Sequence, residues 1–123
     1  MQEQRRRVVI TGVGAITSLG QEKKQIWSAL CEGKSGIKPI TSFDTSGFDV
    51  HFGGEAGDFD PTQWFDVKGV RRLDRFSQFA LAASILAVKD AELKLDAFDR
   101  TRIGVVLGSG MGGMLELETQ HKI

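Results

Sequence analysis

The sequence predicts an α/β fold with a largely parallel sheet packed between helices. Two stretches carry that prediction. "RVVITGVGAITSLG" (7–20) and "RIGVVLGSGMGG" (102–113) each run a β-branched apolar segment into a cluster of glycines, and each is followed by a helical pattern. Such strand–turn–helix units favour parallel pairing, and a continuous apolar run suits a strand covered on both faces. The third observation is the stretch between them, where an alanine-rich segment has the period of a long helix.

Taken in order, residues 7–11 form the first predicted strand and "GVGAITSLG" its turn. Residues 21–32 read as a helix, with Ile26, Trp27, Leu30 and Cys31 on one apolar stripe and Gly33 as its left-handed stop. Residues 34–47 carry turn chemistry and are expected to be loop. "FDVHFGGEAG" (48–57) starts with alternating character and predicts a short ribbon. Asp60 followed by Pro61 predicts a capped short helix. Residues 71–93 are expected to be the longest helix, with Phe76, Phe79, Ala80, Ala83, Leu86 and Ala87 along one face. Small residues there let another backbone come close. Residues 102–107 form the second predicted strand, and "MLELETQHKI" the first turns of a helix. The chain stops in that helical pattern without a cap. The sequence therefore predicts one domain portion spanning 1–123, taken from a longer protein.

Composition narrows the function. Lys+Arg and Asp+Glu balance at 16 each, so no global charge argues for nucleic acid or a membrane surface. The one cysteine excludes an internal disulfide and favours a reducing compartment. "FALAASILAV" (79–88) is too short to span a bilayer, and the broken apolar run of "MQEQRRRVVITGVGAI" makes a poor secretory signal, which predicts a cytoplasmic protein. Charge is uneven along the chain. No Lys or Arg falls between Lys38 and Lys68, and "KGVRRLDR" then concentrates Lys68, Arg71, Arg72 and Arg75.

The glycine turns raise the question of phosphate binding. The first has Thr17 where a dinucleotide fingerprint needs its third glycine. The second satisfies the spacing with Gly108, Gly110 and Gly113, leaving a dinucleotide-binding oxidoreductase open. The alternative is that glycines let strand, turn and helix meet closely around a pocket.

The segments "RVVITGVGAITSLG", "GKSGIKPITSFDTSGF", "RRLDRFSQFALAAS", "AVKDAEL" and "RIGVVLGSGMGG" occur in this order. Together they resemble the start of a β-ketoacyl-[acyl carrier protein] synthase, a condensing enzyme of thiolase-like fold, over nearly the whole chain. The resemblance implies decarboxylating Claisen condensation of an acyl thioester with malonyl-[acyl carrier protein] in fatty acid biosynthesis. It also implies a homodimeric complete protein and no cofactor of its own, phosphopantetheine being carried by the partner acyl carrier protein. A ketosynthase domain of a polyketide synthase is a variant of the same reading. A stand-alone module that binds carrier protein is a third.

The same resemblance assigns the residues. The reactive Cys and the His pair lie beyond the matched region, so no catalytic residue is expected in this chain, and no metal site. Cys31 is expected to be an inert core thiol, and His51 and His121 surface or packing residues. Lys68, Arg71 and Arg72 match a basic patch that docks the acidic carrier protein; the alternative is a solvated helix start paired with Asp66 and Asp74. Met111, flanked by Gly108, Gly110 and Gly112, matches the entrance of the acyl pocket; the alternative is ordinary packing.

Overall fold

A computed structural model describes residues 5–122 of the chain. Met1–Gln4, part of the segment read as a cytoplasmic start, and Ile123 lie outside the described residues. The elements are α1 (Lys23–Cys31), β1 (Ile37–Pro39), β2 (Phe52–Gly54), α2 (Val67–Arg72), α3 (Arg75–Asp90) and α4 (Met114–His121). Single 3₁₀ turns lie at Pro61–Gln63, Leu95–Ala97 and Arg100–Arg102.

Local chemistry explains most boundaries. At the end of α1, Gly33 takes φ 67°, its N–H donates to Leu30 O, and Lys34 N–H donates to Ala29 O. This is the left-handed stop the sequence predicts, satisfying carbonyls the helix leaves open. Asp60 accepts from Thr62 N–H at 2.9 Å, and Pro61 opens the turn that follows.

The sheet differs from expectation. Among the described residues it has two strands only, β1 and β2, paired antiparallel with Ile37 opposite Gly54 and Pro39 opposite Phe52. Residues 37–39 were expected to be loop, and they pair because the ribbon at 52–54 offers an edge that tolerates Pro39. Glu55 fastens the exit from β1, accepting from Thr41 N–H, Thr41 Oγ1 and Ser42 N–H at 2.9–3.0 Å.

The predicted strands 7–11 and 102–107, and with them the largely parallel sheet, are not formed among the described residues. A strand exists only through its ladder, and no described segment supplies a partner to either. Val8 and Val106 are accordingly 92% and 96% exposed. The helix expected over 71–93 is also two helices. Leu73 and Asp74 take extended conformations and form an elbow between α2 and α3.

The buried set is small: Ala29, Phe59, Gln78 and Ala82 among the described residues. The best-packed seam lies between the first glycine turn and α3. A Cβ on Gly12 would lie 2.4 Å from Ala87 O, and one on Gly14 2.1 Å from Ala83 O. The alanine face of α3 thus receives a backbone at a separation no side chain permits. Asp90 ties the seam, accepting from Val13 N–H at 2.9 Å and pairing with Lys23.

Candidate functional site: a cleft at the second glycine turn

A cleft of about 500 Å³ lies between the α2–α3 elbow and the second glycine turn. Val70, Arg71, Leu73, Asp74, Phe76 and Phe79 line one side. Met111, Gly112, Gly113 and the first residues of α4 line the other. The fold therefore brings together Arg71 from the predicted docking group with Met111 and Gly112 from the predicted pocket group.

The turn is shaped by contact on one side only. Gly112 N–H donates to Ser109 Oγ at 3.1 Å, and a Cβ there would lie 2.7 Å from the Phe76 ring. Gly113 enters α4 at φ 77°, a conformation that favours glycine. Met111 is 76% exposed at the mouth of the cleft. Gly108 and Gly110 do not line it; a Cβ on either would point into open space.

The basic cluster divides. Lys68, Arg71 and Arg72 are exposed on α2, and among the described residues none of them forms an ion pair. The pairing with Asp66 and Asp74 is not formed; the Asp66 carboxylate instead accepts from Gly69 N–H at 2.8 Å and caps α2. Arg75 also lines the cleft, but its head group is committed. Its guanidinium lies 5.2 Å and 4.9 Å from the Phe59 and Phe79 ring centroids and donates to Phe59 O and Ala56 O. That arrangement uses the cation for packing and carbonyl capping.

Two residues the sequence reading missed hold this region. Gln78, 6% exposed, donates from Nε2 to Val70 O at 3.1 Å and Leu73 O at 2.9 Å. Its signal was a carboxamide four residues before Ala82, on the stripe that proves most buried. Asp90 ends α3, where a negative charge opposes the helix dipole and so announces a partner. Lys23 and the Val13 amide, which hold its carboxyl below the ordinary value, are that partner.

Cys31, expected to be buried, is exposed at the last position of α1, because the helix turns Ala29 inward. His51 is exposed and hydrogen-bonded to Thr45 Oγ1; His121 is exposed at the end of α4. None of the three lines the cleft. No metal-ligand cluster occurs among the described residues. The cleft sets the cationic Arg71 beside an apolar surface of Met111, Phe76 and Phe79, with Asp74 and Glu116 also on its walls.

Residues 5–122 match the family described as Beta-ketoacyl synthase, N-terminal domain. The chain belongs to the β-ketoacyl synthase family. It is 47% identical over 120 residues to 3-oxoacyl-[acyl-carrier-protein] synthase 2 of Synechocystis sp., covering 98% of this chain and 29% of that protein. The enzyme of the same name from Coxiella burnetii is 43% identical, with 96% and 28% covered. That of Staphylococcus aureus strain COL is 44% identical, with 97% and 29% covered. Among solved structures, "The ishigamide ketosynthase/chain length factor" superposes with a TM-score of 0.68 at 42% identity, covering 75% of this chain and 23% of that one. The fold is thus ketosynthase-like, of the thiolase-like class. The chain spans under a third of the length of these curated relatives. Family membership removes the dinucleotide reading of Gly108–Gly113: this turn belongs to a condensing-enzyme fold and opens on the cleft. No helix among the described residues is long and apolar enough to cross a membrane.

Proposed function

We propose that this chain contributes the N-terminal domain portion of a 3-oxoacyl-[acyl-carrier-protein] synthase of fatty acid biosynthesis. The observation that carries the reading is the family match across 5–122, joined to 47% identity with an enzyme of that name. In the complete polypeptide the reaction joins an acyl thioester to a malonyl thioester. The C–CO2⁻ bond of the malonyl group breaks, CO2 leaves, and the electron pair left on the α-carbon attacks the acyl carbonyl. A new C–C bond forms and the enzyme's thiolate departs. The nucleophile and the groups that stabilise the enolate belong to the rest of the polypeptide, and the 123-residue chain alone is catalytically silent.

Within that reading Met111 sits at the entrance of the acyl pocket, with Gly108, Gly110 and Gly112 giving the turn its slack. Lys68, Arg71 and Arg72 steer the acidic carrier protein, whose phosphopantetheine arm delivers the substrate. The strands expected at 7–11 and 102–107 join a largely parallel sheet completed by the remaining sequence, which also covers Val8 and Val106. The complete protein is a cytoplasmic homodimer.

The test is condensation by the complete polypeptide with acyl- and malonyl-carrier protein. A 3-oxoacyl product and CO2 are expected, with none from residues 1–123 alone. Reversing charge at Arg71 and Arg72 weakens carrier-protein binding, most at low salt. No product from the complete polypeptide overturns the reading.

A further inference from the structure

We infer that Gln78 is a positioning residue, whose buried carboxamide fixes the α2–α3 elbow and so aims Arg71 at the cleft mouth opposite Met111. The inference rests on the carrier-protein reading of Arg71 given above.

The argument starts from the weakness of α2. It has six residues, none of them buried. A helix that short has little stability of its own, and its direction is set by what holds its ends. At the first end Asp66 accepts from Gly69 N–H at 2.8 Å. At the other end, the last carbonyls have no partner inside the helix. Gln78 reaches back from α3 and gives one N–H to Val70 O and the other to Leu73 O, at 3.1 and 2.9 Å. The two acceptors straddle Arg71. The same carboxamide therefore grips the residue before the arginine and the extended residue that ends the helix.

No other side-chain type does this with the same reach and no charge. A carboxylate would set like partial charges against two carbonyls, and an apolar side chain would leave both unpaired. α3 does not depend on the contact, since its 16 residues hold their own ladder and its alanine face is packed on the first glycine turn. Loss of the carboxamide frees α2 and leaves α3 in place. Arg71 then samples directions away from the cleft, while Met111 and Phe76 keep theirs.

The test uses the complete polypeptide with Gln78→Met, which keeps the length and removes both donors. KM for carrier-protein substrates should rise about fivefold. kcat with carrier-free pantetheine thioesters should stay unchanged, and hydrogen exchange over residues 67–73 should quicken. In an Arg71→Ala background the same substitution should raise KM clearly less, because it acts through Arg71. An unchanged KM, a full additive rise, or unaltered exchange overturns the inference. So does an equal loss with carrier-free substrates, which would mark a general packing role. If Gln78→Met does not fold, Asp66→Ala loosens α2 from its exposed end, with the same KM rise expected and an unchanged KM overturning it. Absence of any product from the unmutated polypeptide is a separate outcome: it overturns the synthase reading, and this inference falls with it.

Discussion

Gly14 and Gly110 stand in turns of the same residue grammar, yet a methyl group added to each meets opposite surroundings. At Gly14 the methyl would lie 2.1 Å from Ala83 O and 2.5 Å from Ala87 N, both backbone atoms of α3. At Gly110 nothing lies within 4 Å. The first turn uses glycine to bring two backbones together. The second carries Gly110 where no described atom meets it, and only Gly112 and Gly113 come close to side chains, those of Phe76, Ser109 and Asp74. A strand-then-glycine signal therefore specifies the local geometry of a turn and says nothing of what the turn is for; that depends on which surface the rest of the fold sets against it.

The sharpest way to break this comparison is Gly14→Ala. Backbone atoms of α3 cannot move aside as a flexible side chain does, so the seam must open along Ala83, Ala87 and Ala91. A loss of about 3 kcal/mol is expected, read as a large fall in the melting temperature of the complete polypeptide or as insoluble protein. An unaltered melting temperature would mean the turn and α3 are not in register as described.

A smaller effect of the same kind follows from Asp90, which ties the first turn and, among the described residues, has no counterpart bound to the second. Lys23 and the Val13 amide hold its carboxyl below the ordinary 3.8. A depressed carboxyl stabilises the fold fully above that ordinary value, and the contribution is lost as pH falls below 3.8 toward the folded-state value. Glu55, held at about 2 chiefly by Ser42 and Thr41, adds the same sign around the β1–β2 ribbon, its contribution being lost as pH falls from 4.5 toward about 2. Asp90→Asn should therefore lower stability at neutral pH and flatten its decline between pH 4 and lower values, measured by thermal melts across that range. An acid profile identical to that of the unmutated protein would detach the carboxylate from the seam.

Much of this architecture is legible in the residues. α1, α3 and α4 follow from apolar periodicity, Gly33 and Asp60 from stop and cap chemistry, and both glycine turns from their spacing. The elbow at Leu73–Asp74 is not legible, because "RRLDR" contains no glycine or proline. It is made by Gln78, a contact five to eight residues away that only the folded chain reveals. The apolar runs at 7–11 and 102–107 read as strands because their residues favour burial on two faces. Pairing, however, is a property of partners, and the described residues provide none. The site was half legible for the same reason. Arg71 and Met111 stand out by type and motif, while the place of Arg75 against the Phe59 and Phe79 rings is set by contacts only the folded chain makes.

The weakest effects on stability sharpen the comparison from the side of the second turn. Gly112→Ala would set a methyl 2.7 Å from the Phe76 ring, and a ring at the edge of a cleft can swing outward, so about 1 kcal/mol is expected. Gly110→Ala should change stability by no more than about 0.5 kcal/mol. Its backbone φ is not positive, and the new methyl meets no described atom. Its consequence lies in the product instead. On the proposed reading, Gly110 gives the turn the slack by which Met111 moves aside for an acyl chain, and a methyl stiffens the turn so that Met111 yields less readily to a long one. The complete polypeptide carrying Gly110→Ala should melt with the unmutated protein and release a product mixture shifted toward shorter chains. Gly14→Ala, assayed at a temperature where it remains folded, should lose total activity without changing that mixture. If Gly110→Ala lowers the melting temperature as much as Gly14→Ala while its product lengths stay the same, both glycine turns are packing devices and the contrast between them disappears.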